Sequence, residues 1–255
     1  MMFNTLILAG SRDEADPVSA YAGVSHKALI EIGGLTLLER VVAAVRASGA
    51  ARIGVVAGTG AVAELAARLG CEVIPQAPGP SASATAGFAV LGAPLLVTTA
   101  DHALLQPEWI VDFITRAGRS ADVSALLARR ETIEATAPPM RRTYLRFADG
   151  DWSGCNLFFL ATERSVGAIR FWQRVEDDRK RPWRIARMLG GWTLLRYVLG
   201  RLTLAQAVER VGGKAGVSAQ VVESPFGLAA LDVDKPDDLD VARRVVLGTE
   251  VSAGR

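Results

Sequence analysis

The chain has 255 residues, half of them hydrophobic, and a formal charge of +2. That is enough apolar material for one large core in a single α/β domain spanning 1–255, and too little net charge for a general nucleic-acid binder. The two cysteines, Cys71 and Cys155, and the two histidines, His26 and His102, lie at no metal-ligand spacing, which argues against a zinc site or a disulfide framework.

The first apolar run lacks a preceding basic region and has only the length of a strand, so the expectation is a cytoplasmic protein with no secretory signal or transmembrane start. That run, Thr5–Ala9, breaks at Gly10-Ser11-Arg12, and Lys27 follows after a short interval. A buried parallel strand ending in a small-residue turn suits a triphosphate. The backbone of Leu8, Ala9, Gly10 and Ser11 can approach the ligand, while Arg12 and Lys27 face anionic oxygens. An ordinary strand-turn with a solvated Lys27 fits the same residues.

Further strands are expected at Arg52–Ala57, Pro94–Thr98 and Val123–Leu127, alternating with helices near Leu37–Ala47, Ala61–Leu69, Ser83–Val90 and Pro107–Arg116. This alternation predicts right-handed crossovers and a mostly parallel sheet, with function at the carboxyl ends of its strands. Small residues from Gly79 to Gly87 open a helix whose amides and hydroxyls can read a base or a phosphate, with Ser83 the candidate; a plain N-cap is the alternative. Asp101, just past the strand at Pro94–Thr98, stands where a metal can bridge phosphate oxygens. His102 beside it is read as a structural or acceptor-side residue.

Beyond Val123–Leu127, strands are expected at Thr143–Phe147, Asn156–Ala161, Val217–Val222 and Leu228–Val233, with a closing helix from Pro236 to Leu247. Arg141, Arg142 and Arg146 can offer guanidinium forks to an acceptor phosphate, with solvated surface charges the alternative. In the following Gly154-Cys155-Asn156, Gly154 gives access and Asn156 both donates and accepts, with a plain turn into a strand the alternative. Asp232 and Asp234 are two apart, so in a strand both face one side and can complete a metal clamp with Asp101. Asp234 is the first choice for the metal, and it can also cap the last helix.

Between Phe171 and Lys214 the helical pattern interrupts the strands, and ten basic residues stand against four acidic ones among several tryptophans and leucines. This segment reads as a helical insertion. A packed cap, a lid over an anionic acceptor and a peripheral contact with an anionic membrane are the alternatives.

In their order, these motifs resemble the molybdenum-cofactor-type nucleotidyltransferases and their sugar-nucleotide relatives along almost the whole chain except Phe171–Lys214. The family signature is Leu-Ala-Gly-Gly-x-Gly-x-Arg, Lys-Pro and Gly-x-x-x-Leu. Here Ser11 directly follows Gly10, and Ala28 rather than proline follows Lys27. Ala100-Asp101 resembles the family's magnesium-binding aspartate motif, Gly154-Cys155-Asn156 its Gly-x-Asn stretch, and Asp232 to Leu239 its closing acidic motif.

The resemblance implies a GT-A-like fold: a Rossmann-like three-layer α/β sandwich. It implies an Mg²⁺-dependent transfer of NMP from an NTP, CTP slightly favoured, to a phosphorylated small-molecule acceptor, and the basic, tryptophan-bearing insertion favours a phosphorylated lipid headgroup or polyol in that role. Lys27, Arg12 and Asp101 would act on the triphosphate. A GT-A glycosyltransferase and a catalytically silent nucleotide-binding protein are the competing readings, the first lacking its Asp-x-Asp at Asp101-His102-Ala103.

Overall fold

The computed structural model describes residues 1–10, 16–138, 142–178 and 190–248. In chain order its elements are β1 (Asn4–Leu8), α1 (Pro17–Ala22), β2 (Glu31–Ile32), β3 (Leu35–Thr36), α2 (Leu37–Ala47), β4 (Ile53–Ala57), α3 (Ala61–Arg68), β5 (Glu72–Pro75) and α4 (Pro80–Leu91). The second half adds β6 (Leu95–Thr99), α5 (Pro107–Ala117), β7 (Val123–Arg129), α6 (Arg130–Thr136), β8 (Leu145–Phe147), β9 (Gly150–Leu160), α7 (Val166–Asp177), α8 (Gly191–Val198), α9 (Leu204–Ala215), β10 (Ala219–Ser224) and α10 (Pro236–Leu247).

Among the described residues the main sheet runs β10-β7-β9-β6-β1-β4-β5, with β8 paired to β9. β1 is parallel to β4 and β6, β4 to β5, and β7 to β10, whereas β9 is antiparallel to both its neighbours. The inner parallel strands are covered on both faces, which is why β4 is buried at every residue.

One face packs under α2, α5 and α10, where Ile7, Val55, Leu96 and Phe159 meet Val41, Phe113 and Leu239. The other packs under α4 and α7, where Leu6, Val56, Val97 and Leu160 meet Phe88, Leu91 and Ile169. α9 closes that face at the β7 end through Leu204, beside Leu127 and Trp152. The result is a three-layer α/β sandwich with a mostly parallel sheet.

Local chemistry sets several boundaries. Thr36 and Glu39 form a reciprocal capping box that starts α2. Pro236, Asp237 and Asp238 open α10 with a fixed φ and negative charge at the positive end of the helix. In α4, a Cβ on Gly87 would sit 2.3 Å from Leu6 Cδ2, so the helix approaches β1 more closely than any larger residue allows.

The structure corrects one expected strand. Residues 228–233 do not join the sheet: Gly227–Ala230 is a 3-10 turn and an extended segment follows. Leu231 and Val233 are buried, and the Val233 amide donates to the Asp101 carbonyl at 3.1 Å. Backbone pairing with a loop replaces pairing with a strand. Four elements arise without a strong sequence signal: β5, the β2–β3 hairpin, α1 and α6. Among the described residues, no helix is long and apolar enough to cross a membrane.

Candidate active site

β1 and β6 run side by side with Leu8 opposite Thr99, so their carboxyl ends deliver the Ala9–Gly10 backbone and Asp101 to one edge of the sheet. Gly10 is held close to β5's exit, where a Cβ would stand 2.9 Å from Gln76 Cδ. Lys27 arrives from the 3-10 turn Lys27–Leu29, which is capped by His26 Nδ1 accepting from the Ala28 amide at 3.0 Å. The Thr99 hydroxyl donates to Asp101 Oδ1 at 2.5 Å.

The Lys27 ammonium lies between two carboxylates, 2.6 Å from Asp101 Oδ2 and 3.0 Å from Asp234 Oδ1. Burial alone would lower its pKa, but Asp101 and then Asp234 outweigh it and hold the lysine above its ordinary range. It is therefore a permanent cation at neutral pH.

Asp232, two residues before Asp234, anchors a second cluster. It accepts from Asn156 Nδ2 at 2.9 Å and faces Arg142 Nη2 at 3.4 Å. Burial, followed by repulsion from Asp234, pushes its pKa up to about 6 against the pull of Arg142. Arg142 is also fixed through Nε, which donates to Ser153 Oγ at 2.7 Å. The extended segment from Leu231 to Asp234, joined to the Asp101 loop by the Val233 amide, brings the two clusters together.

Asn156 is the one non-glycine residue with positive φ (+50°) among the described residues. It lies where the β7–β9 register shifts, between the Ala125–Phe158 and Leu127–Gly154 pairs. Such a bulge re-aims a side chain, and asparagine tolerates the left-handed backbone better than most residues. Gly154 is exposed, with open space where a Cβ would point.

A cavity of about 540 Å³ opens at this edge, with Leu8, Ala9, Gly10, Lys27, Asp101 and Asn156 in its wall. It continues beneath α4 and α7 over the sheet. Ser83 is buried, and its hydroxyl is engaged with the backbone of Ala77. Arg146 is exposed on β8.

Ser11, Arg12 and Arg141 lie outside the described residues. His102 turns into the core beside Trp109, with ring centroids 6.3 Å apart, and burial pushes its pKa down to about 4. α8 exposes Trp192, Leu195 and Val198, whereas residues 179–189 lie outside the described set.

Asp101 and Asp234 direct hard oxygen donors at the point Lys27 Nζ occupies, the donor type magnesium takes alongside substrate phosphates. Among the described residues, no three His, Cys, Asp or Glu side chains form a ready-made cage. The residues thus suit an ion that arrives with a phosphate ligand.

Sequence reasoning missed His26 as the cap that aims Lys27, Thr99 as the donor to Asp101, and Phe158, Ala168 and Trp172 in the cavity wall. Of these, only Thr99 carries a sequence signal, as the hydroxyl two residues before the strand-end acid.

The MobA-like NTP transferase domain matches residues 5–170. A hypothetical transferase from Thermus thermophilus is 28% identical, with a TM-score of 0.80 over 94% of this chain and 100% of that one. A 2-C-methyl-D-erythritol 4-phosphate cytidylyltransferase, also from Thermus thermophilus, is 18% identical, with a TM-score of 0.55 over 97% and 100% of the two chains. A CMP:2-keto-3-deoxy-manno-octonic acid synthetase complexed with CTP is 13% identical, with a TM-score of 0.62 over 98% and 100%. No curated protein matches significantly.

Proposed function

The chain belongs to the MobA-like NTP transferase domain family, a nucleotidyltransferase family, and on that premise we propose that it transfers NMP from an NTP, preferably CTP, to a phosphorylated acceptor with release of pyrophosphate. The observation that carries this reading is the Lys27 ammonium between Asp101 and Asp234 at the mouth of the cavity. The preference for CTP leans on the cytidylyl chemistry of two similar folds.

An acceptor phosphate oxygen attacks the α-phosphorus in line. A new P–O bond forms as the bond to the β-phosphate bridging oxygen breaks, and the electron pair leaves with pyrophosphate. A phosphate monoester has its second pKa near 6, so about neutral pH it is already an ionised nucleophile and needs no general base. Lys27 exchanges its carboxylate partners for triphosphate oxygens and neutralises the charge that grows on the leaving group.

The backbone at Ala9–Gly10 admits the nucleotide, and Asn156 and Arg142 receive the acceptor phosphate in the space beside Gly154. Magnesium bound by Asp101 and Asp234, with Asp232 next to them, would supply further neutralisation of triphosphate charge.

The test is pyrophosphate release from each of the four NTPs with a pool of phosphorylated sugars, polyols and cofactors. Acceptor-dependent release from CTP, lost in Asp101→Ala, is expected. Wild-type protein that releases pyrophosphate from no NTP but transfers sugar from a nucleotide sugar would overturn the reading in favour of a glycosyltransferase.

A further inference from the structure

We propose that the acceptor is an amphiphilic phosphate monoester whose hydrocarbon chain fills the inner part of the cavity; the phosphate end of this assignment rests on the transferase reading, the hydrocarbon end on the cavity alone. β9 lies inside the sheet, and Phe158 stands in register between Val97 of β6 and Ala125 of β7. A side chain in that row belongs under a helix. Leu6 and Val97 in the same row are 0% and 5% exposed, yet Phe158 is 44% exposed.

The uncovered ring is not a surface accident, because it forms the floor of the cavity, and Trp172 of α7, 38% exposed, lines it too. α7 is fastened across the cavity by Glu176, which accepts from the Ser81 hydroxyl at 2.6 Å and the Ser81 amide at 3.2 Å. The space therefore stays open between two anchored layers instead of collapsing.

Away from the Lys27 edge the cavity wall is Val123, Phe158, Leu160, Ala168, Ile169 and Trp172, all without a charged group. A sugar or polyol placed there would bury hydroxyls against hydrocarbon without hydrogen-bond partners. A chain with a phosphate at one end matches both ends, the dianion at Asn156 beside the Lys27 edge and the hydrocarbon over Phe158. The apolar inner part is only a share of the 540 Å³ cavity, whose outer part takes the nucleotide, so it suits a single short chain, which a water-soluble monoester provides and a two-chain bilayer lipid does not.

The experiment is calorimetric titration of the full chain with n-alkyl monophosphates from ethyl to octyl, with inorganic phosphate as the baseline. The Kd should fall roughly fourfold per added methylene until the cavity is full. Ala168→Phe, which fills the space from α7, should flatten the series, and Phe158→Asn should weaken octyl phosphate about tenfold through lost apolar contact.

A Kd that is the same from ethyl to octyl, or a series unchanged in both folded variants, overturns the proposal. Parallel pyrophosphate assays separate the two readings. Octyl phosphate that binds while no acceptor supports release refutes the transferase and leaves the ligand class standing. Release with sugar phosphates alongside a flat alkyl series does the reverse.

Discussion

Replacing Asp122 with alanine removes a bolt that joins three strands at the edge opposite the candidate site. Its buried carboxylate accepts from the Thr162 hydroxyl at 2.6 Å and from the Ser218 amide and hydroxyl, both at 2.9 Å. These bonds tie the start of β7 to the exit of β9 and the entry to β10. Hydrogen bonds to a charged group contribute about 1.5–3 kcal/mol each. Two of the three come from one residue, so they do not add fully, and Asp122→Ala should cost about 3–5 kcal/mol. For a chain of this size that lowers the unfolding midpoint by roughly 6–20 °C.

Asp122→Asn should cost only about 1 kcal/mol, because its oxygen still accepts from Ser218 and its amide donates to the Thr162 hydroxyl. The Thr162 bond, first among the causes, holds the Asp122 pKa below its ordinary value. The carboxylate's contribution is thus complete above the unfolded pKa of about 3.9 and lost as pH falls through the lower folded value. Urea unfolding followed by tryptophan fluorescence measures each difference. The gap between wild type and Asp122→Asn should narrow below about pH 4. An alanine cost under about 1 kcal/mol at pH 7, or a gap that ignores acid, refutes the reasoning.

The remaining predictions concern the site and its frame. Lys27→Met should lower kcat/KM for pyrophosphate release by roughly 10²–10³, the usual loss for one aimed donor at developing charge; steady-state assays check it, and near-wild-type turnover would remove Lys27 from the mechanism. Asn156→Gly should be more stable than Asn156→Ala by about 1 kcal/mol, because only glycine accepts the left-handed backbone without cost. Both variants should reduce acceptor-dependent turnover, and equal unfolding free energies would contradict the bulge. Gly87→Ala should destabilise the chain by about 2–3 kcal/mol by driving a methyl into the fully buried Leu6, as read by thermal unfolding.

Periodicity made the frame legible where an element carries its own signal. α2 and α10 begin and end where the sequence places them, since Thr36-Leu37-Leu38-Glu39 and Pro236-Asp237-Asp238 state their own caps. β5 was missed because Glu72–Pro75 is short and exposed at the sheet edge, so neither alternation nor an apolar run marks it. The segment at 228–233 misled for the opposite reason. Leu231 and Val233 alternate with acids as a strand would, but the Asp101 carbonyl, distant in sequence, takes the Val233 amide. A pattern of period two reports which side chains are buried, and it is silent on what the backbone pairs with.

The same distinction governs the site. Asp101, Asp232 and Asp234 are legible as acids because each follows a buried apolar residue near a turn. That Lys27 lies between two of them requires the β1–β6 register, the cap by His26 and the link from Val233 to Asp101 together, and no local pattern contains all three. The arrangement also explains how five charged groups share a small volume. Lys27 offsets Asp101 and Asp234, which leaves Asp232 to Arg142 and Asn156, while burial and then repulsion from Asp234 raise its pKa. A bound triphosphate that draws Lys27 away leaves Asp101 and Asp234 without their common cation, a deficit of positive charge that a divalent ion is suited to fill. Nucleotide and metal should therefore bind with positive coupling, each tightening the other by the same factor. Calorimetric titration of CTP with and without magnesium measures that factor, and identical affinities, after correction for the magnesium already bound to free CTP, would refute it.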